Sequence, residues 1–349
     1  RIRFTCARGH DKENPVFAVR HGLNGSVDGV SLIIAGRVTT VLVVVRRSDN
    51  LFRLLRCNAL RGAVATPQLF GGRELIHGQT ADFASGEIML GESFAAHELK
   101  IGEERLRALG LSVKYMPHAK MGMAYLRAHP EARAADLLAA FRDPEVDMIL
   151  CAIGGDDTYR LTPFLFENGE LQKAVTNKIF LGFSDTTVNH FMLHKVGLPT
   201  FYGQAFLPDV CELGADMLPY TRRYFEELIR TGRIAAVTPS DTWYETRKDF
   251  SAGQVGIDMP AYKNDGFELL RGHAHFEGEI LGGCIDTFFD MFDGTRYADM
   301  PDVIRRYGLF PAAEAWRGKI LLLESSEEQP SPEKYRRALE YLRDAGVFA

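Results

Sequence analysis

From about residue 83 onward, short apolar runs alternate with amphipathic stretches. His97 to Leu109 carries Leu99, Ile101, Leu106 and Leu109 at helical spacing and stops at Gly110, which predicts a helix. Leu111–Met116 reads as a short strand. Pro130–Phe141 reads as a second helix, opened by its proline and faced by Ala134, Leu137, Leu138 and Phe141. Met148–Ile153 is a continuous apolar run of strand length, ended by Gly154-Gly155, after which Leu161, Phe164 and Leu165 return to helical spacing. Lys178–Phe183 is the next buried strand, followed by Ser184-Asp185-Thr186-Thr187 and a helix through His194. The stretch 197–203 closes the series, and a further helix covers Tyr220–Arg230. Strands alternating with helices predict an α/β fold with a parallel, doubly wound sheet over residues 86–231.

Beyond about 232 the pattern changes. Pro239, Trp243, Pro260 and many glycines break up short extended pieces. Ala274–Leu281 and Lys319–Leu323 read as strands, and Pro332–Leu342 as a last amphipathic helix. No helical period separates these strands, so the expectation over 232–349 is a smaller, mostly β second domain.

Residues 1–85 resist the same treatment. Ser31–Ile34 and Val38–Val45 have strand-like β-branched content, but no period runs through the segment. Charge sets it apart. Residues 1–80 carry 12 Lys/Arg against 5 Asp/Glu, a net of +7, while the rest carries 29 against 41, a net of −12. The segment is therefore left unassigned and expected outside the fold, with limited proteolysis removing it early and leaving a core that starts near residue 85. The acidic main body argues against nucleic acid as a partner. No apolar run reaches about 18 residues, so no membrane span is read. Five widely spaced cysteines without a C-x-x-C pair fit a reducing, cytoplasmic setting with neither disulfides nor a zinc site.

The chemistry gathers at the turn after Met148–Ile153. Ligands of doubly wound sheets sit at the carboxyl ends of strands, where both GGDDT (154–158) and SDTT (184–187) lie. At a strand-to-helix turn, Asp156, Asp157 and Thr158 can simply cap the helix. A hydroxyl held there can also be a nucleophile, because neighbouring N–H groups can take the charge of an oxyanion. A phosphate site is a third use of such a turn, but G-x-G-x-x-G spacing is absent and no lysine follows the glycines.

Six stretches then carry a family likeness: HELKIGEERLRALGL (97–111), HPEARAADLLAAFRDPEVDMILCAIGGDDTYRL (129–161), KIFLGFSDTT (178–187), GLPTFYGQAF (197–206), GEILGG (278–283) and GKILLLESSEE (318–328). In this order, from about residue 86 to the end, the chain resembles the LD-carboxypeptidase family of serine peptidases, including its microcin C7 self-immunity branch. The likeness implies a first sheet strand just before Gly86, where DFASGEIMLGE shows no apolar run. It also implies a serine, a glutamate and a histidine acting together. The serine position is Thr158 here, which keeps the hydroxyl but adds a methyl group and restricts χ1. The glutamate falls on Glu324, at the end of the strand Lys319–Leu323, where a carboxylate can hold a histidine in the productive tautomer. On its own, Glu324 would read as a solvated strand-end charge.

The likeness places the histidine well downstream of the glutamate. The chain stops 25 residues after Glu324, and none of its ten histidines matches that position, so a fragment lacking the family histidine is expected. His273 and His275 could approach the site from the second domain, although lone histidines on strands are more often structural. His97, His118, His190 and His194 read as helix or strand-end residues with local partners. The backbone N–H groups of Gly155 and Tyr159 are the expected oxyanion donors. Asp157, Ser184, Asp185 and Tyr202 are expected to bind the amine or carboxylate of a peptide, with turn capping or core hydrogen bonding as the plainer role for each. The implied activity is amide hydrolysis by acyl transfer to Thr158, without metal or cofactor, on an LD-tetrapeptide or a peptidyl-nucleotide. A homodimer is the expected assembly. With the nucleophile substituted and the histidine missing, a non-catalytic ligand-binding protein on the same fold is the competing expectation.

Overall fold

The computed structural model describes residues 96–349, apart from 156, 273–275 and 327, together with five short backbone segments nearer the amino terminus. Those five segments are β1 (Arg3–Cys6), β2 (Phe17–Arg20), β3 (Val41–Val43), β4 (Leu55–Arg56) and β5 (Glu74–His77). The first two pair with each other.

The regular region begins with α1 (Ala96–Ala108), β6 (Ser112–Tyr115), α2 (Met123–Ala128) and α3 (Pro130–Arg142). Pro130 occupies the first turn of α3, where a missing N–H costs nothing. Next come β7 (Val146–Leu150), α4 (Thr162–Phe166), α5 (Glu170–Ala174), β8 (Ile179–Gly182), α6 (Thr187–Lys195), β9 (Phe201–Tyr202) and α7 (Pro219–Thr231). The strands β7 and β8 are buried almost throughout, as inner strands of a parallel sheet with covered faces must be.

The main sheet has six strands in the order β4-β9-β8-β7-β5-β6. All its pairings are parallel except β4 with β9. This is the α/β architecture expected. One expectation changes. Residues 1–85 do not stand apart as a block, because β5 lies between β7 and the edge strand β6 of the sheet. The strand expected just before Gly86 is thus Glu74–His77. Its four residues contain only two adjacent apolar positions, Leu75 and Ile76, which give no period to detect. Ser31–Ile34 lies outside the described residues.

The carboxyl-terminal region holds a small antiparallel pair, β10 (Thr242–Tyr244) with β11 (Ala261–Lys263). It continues through β12 (Glu279–Cys284), α8 (Ile285–Asp293), α9 (Met300–Tyr307), β13 (Lys319–Glu324) and α10 (Pro332–Asp344). A second sheet, β12-β13-β3, is parallel throughout. The region is smaller than the first, as expected, and richer in helix than a mostly β reading allows. The sequence IDTFFDMFD of α8 looks strand-like by its aromatic content. Its buried apolar residues Ile285, Phe288 and Met291 nevertheless recur every three positions, a helical face flanked by the half-buried Phe289 and Phe292. The strand read as Ala274–Leu281 begins only at Glu279 and runs on to Cys284.

One continuous apolar core joins the two regions. Helix α6 supplies the link. Phe191 packs against Phe288, Phe310 and Trp316, with ring centroids 5.6, 5.7 and 6.3 Å away. Among the described residues no helix is long and apolar enough to cross a membrane.

Candidate active site

The apolar run 148–153 outlasts its strand. After Leu150 the chain leaves regular β structure, but Cys151 still donates to the Leu181 carbonyl at 2.9 Å, and the Cys151 and Ala152 carbonyls accept from Phe206 and Leu207. This delivers Gly154 and Gly155 to the carboxyl end of the sheet. Gly155 has φ of 127°, which a side chain would resist. Gly154 faces the neighbouring turn closely. A Cβ placed there would lie 2.6 Å from the Cβ of Ser184.

Thr158 opens a 3-10 turn, Thr158–Leu161, that runs into α4. Its N–H donates to Oδ2 of Asp185 at 3.0 Å, and the residue is 1% exposed. The Asp157 carboxylate accepts from the Arg133 guanidinium of α3 at 2.6 Å, both being buried. Tyr159 is fully buried, and its hydroxyl donates to Asp299 at 2.7 Å. Burial, reinforced by Asp299 and opposed by Arg160, pushes that phenol up to about 12. The Arg160 guanidinium lies 4.9 Å from the centre of the Tyr297 ring. The second region therefore closes over the residue that follows Thr158.

The turn after β8 forms the other half. Ser184 has φ of 61°, unusual for a residue with a side chain. Its N–H donates to the Tyr202 hydroxyl at 2.9 Å, and its carbonyl accepts from Oγ1 of Thr187 at 2.6 Å. The Tyr202 hydroxyl donates to Oε2 of Glu324 at 2.5 Å. Oγ1 of Thr187 also accepts the N–H of Cys284, tying α6 to β12. Thr158, Asp185, Ser184, Tyr202 and Glu324 thus meet along one path from the end of β7 to the end of β13.

Within that group, Ser184, Asp185 and Tyr202 bond to protein partners, as does Asp157 beside it. The plainer role weighed for them, core hydrogen bonding, accounts for these contacts. Asp156, His273 and His275 lie outside the described residues. The backbone N–H of Tyr159 sits in a first helical turn, where amides have no partner within the helix.

Four described histidines have local partners. His97 contacts the Phe250 carbonyl, His118 pairs with Asp136, and His129 with Glu131. His190 comes nearest the path, its ring 5.3 Å from that of Tyr202. Its Nε2 donates to the Gly182 carbonyl, so Nδ1 accepts from Oγ1 of Thr200. Burial drives its pKa down to about 4, and it stays neutral with both nitrogens used. Arg133 carried no signal of its own in the sequence, and Thr187 only its place in the SDTT turn. Each acts on a partner distant along the chain.

The two halves of this geometry coincide with the two matched domains of a known family. The LD-carboxypeptidase N-terminal domain matches residues 88–203, and the LD-carboxypeptidase C-terminal domain matches residues 277–349. The crystal structure of an MccF-like protein from Streptococcus pneumoniae in complex with AMP is 53% identical, covers 79% of this chain and 78% of its own, and superposes with a TM-score of 0.76. The chain belongs to the LD-carboxypeptidase family.

Curated LD-carboxypeptidase relatives extend the likeness. The probable murein peptide carboxypeptidase of Bacillus subtilis (strain 168) is 30% identical over 64% of this chain and 56% of its own length. The microcin C7 self-immunity protein MccF of Escherichia coli is 26% identical over 56% of this chain and 52% of its own. The chain thus spans little more than half the length of these relatives. Within the LD-carboxypeptidase frame, Thr158 stands at the strand-to-helix turn of the N-terminal domain and Glu324 at a strand end of the C-terminal domain.

Proposed function

We propose that the protein is an amide hydrolase that works by acyl transfer to Thr158, with Glu324 as the carboxylate that orients the base. The observation that carries this reading is the hydrogen-bonded path linking the Thr158 turn to Glu324 through Asp185, Ser184 and Tyr202. The hydroxyl oxygen attacks the amide carbonyl carbon while its proton passes to the base. The tetrahedral oxyanion is stabilised by the N–H groups of Gly155 and Tyr159. Its collapse breaks the C–N bond, the amine leaves with the proton, and water then hydrolyses the ester. Relatives named as murein peptide carboxypeptidase and microcin C7 self-immunity protein support a peptide or peptidyl-nucleotide substrate, and the AMP complex of the pneumococcal relative favours the latter. The setting we infer is cytoplasmic, and the assembly a homodimer.

The deciding experiment follows hydrolysis of an LD-tetrapeptide and of an aminoacyl-sulfamoyl adenosine by the full-length gene product. Thr158→Ala should lower turnover by about 10³-fold or more, and Glu324→Gln by a comparable factor. Undiminished turnover in Thr158→Ala would remove Thr158 from the reaction.

A second reading, a ligand-binding protein without turnover, is favoured by the 1% exposure of Thr158 and by threonine at the serine position. It expects AMP binding without hydrolysis in the native protein, and hydrolysis gained in Thr158→Ser.

A further inference from the structure

Glu324 and Tyr202 stand 122 positions apart and meet at the ends of two different sheets. The direction of proton donation between them is fixed by a third group. An amide N–H can only donate, so the bond from Ser184 to the phenol oxygen uses that oxygen as acceptor. The single phenol proton is left to point at Oε2 of Glu324, 2.5 Å away.

Ser184 can aim its N–H this way only because of its φ of 61°. Such a conformation costs a side-chain-bearing residue about 1 kcal/mol or more and persists only where surroundings enforce it. Here the Ser184 carbonyl accepts from Oγ1 of Thr187 at 2.6 Å and Oγ1 of Thr287 at 3.4 Å, and Gly154 leaves room for its side chain. The next residue, Asp185, takes the N–H of Thr158. One strained turn therefore orients groups toward both ends of the proposed machinery.

We infer that Tyr202 is a positioning residue, oriented by the Ser184 amide, that holds Glu324 ionised and in a single rotamer. The inference rests on the proposed role of Glu324. Burial, and then the charge of Glu324, push the Tyr202 phenol well above its ordinary value, so it remains a donor across the working range. Other titratable groups lie around Glu324 among the described residues. Cys284 on β12 and Tyr335 on α10 are held protonated by burial, Asp286 of α8 is paired with Lys334 at 2.9 Å, and His190 of α6 is neutral.

The test titrates Glu324 directly, by carbon NMR of labelled glutamate carboxyls in the full-length gene product, with Glu324→Gln assigning the signal. Tyr202→Phe should raise the Glu324 pKa by about one unit, because a hydrogen bond to the charged form is lost. The acid limb of the hydrolysis profile should move up by the same amount. Fluorotyrosine at position 202, a stronger proton donor of nearly the same shape, should move the titration the opposite way. A packing role would produce neither graded shift. An unchanged Glu324 titration in folded Tyr202→Phe overturns the inference. Should that variant not fold, an unresponsive titration in the fluorotyrosine protein overturns it instead. Loss of the Thr158-dependent reaction reading would leave the Glu324 shift intact, so the two failures are distinguishable.

Discussion

Arg133 and Asp157 are each about 2% exposed and hold each other at 2.6 Å. Removing one partner of such a pair strands the other's charge in the interior. Arg133→Met should therefore cost about 3–5 kcal/mol, read as a lowered urea midpoint, whereas the double change with Asp157→Asn should recover much of it. A buried ionisable group sets a pH response. Burial, assisted by the charge of Glu212 and opposed by Arg247, raises the Glu98 pKa to about 8. The folded state keeps a proton that the unfolded chain releases near its ordinary 4.5, so this stability is full below about 4.5 and is lost as pH rises through 8. His190, lowered to about 4, has the opposite slope, but its window closes near 6.5. Between pH 6.5 and 8.5 the Glu98 effect should dominate, at about 2 kcal/mol, and Glu98→Gln should flatten the urea midpoint across that interval. At this scale Thr158 and Glu324 are singled out in the sequence by their place in family-like stretches, and their roles remain proposals. The bonds of Arg133 and Tyr202 are not legible there, since each joins residues far apart in sequence and leaves no local pattern.

Elements were legible where their apolar spacing was clean. Helix α3 announces itself by Pro130 and an apolar face, and β7 by an unbroken apolar run. Helix α8 was missed because its aromatic residues suit either state, and β5 because two adjacent apolar residues define no period. The most demanding element is α6, buried from Thr187 to Leu193. No single apolar stripe marks a helix covered on all sides. Phe191→Ala would remove a ring that contacts Phe288, Phe310 and Trp316, and should cost about 3–5 kcal/mol in urea unfolding. A loss below about 1 kcal/mol would show that the core can collapse around the vacated space.

At the scale of the molecule, the change of pattern near residue 232 suggests two units, and the apolar core runs without interruption across it. Calorimetry of the protein should accordingly give one cooperative transition, in which Phe191→Ala lowers the whole unfolding temperature. Two resolved transitions, only one of them shifted by that substitution, would show that the halves fold separately.

That shared core also has a mechanical consequence. A protein that admits its substrate by swinging two lobes apart needs a hinge whose motion leaves both interiors closed. Here α6, an element of the first half, carries the Thr187 that pins Ser184 on one side and Cys284 on the other, and its Phe191 is lodged among Phe288 and Trp316 of the second half. Opening like a jaw would pull that ring out of its neighbours. With α6 held in place, a route to the candidate site would run through side chains and short loops at the sheet's carboxyl edge. Substrate preference in this protein should then respond to exchanges of those loops, while stiffening the junction between the halves should leave the rate of substrate entry unchanged.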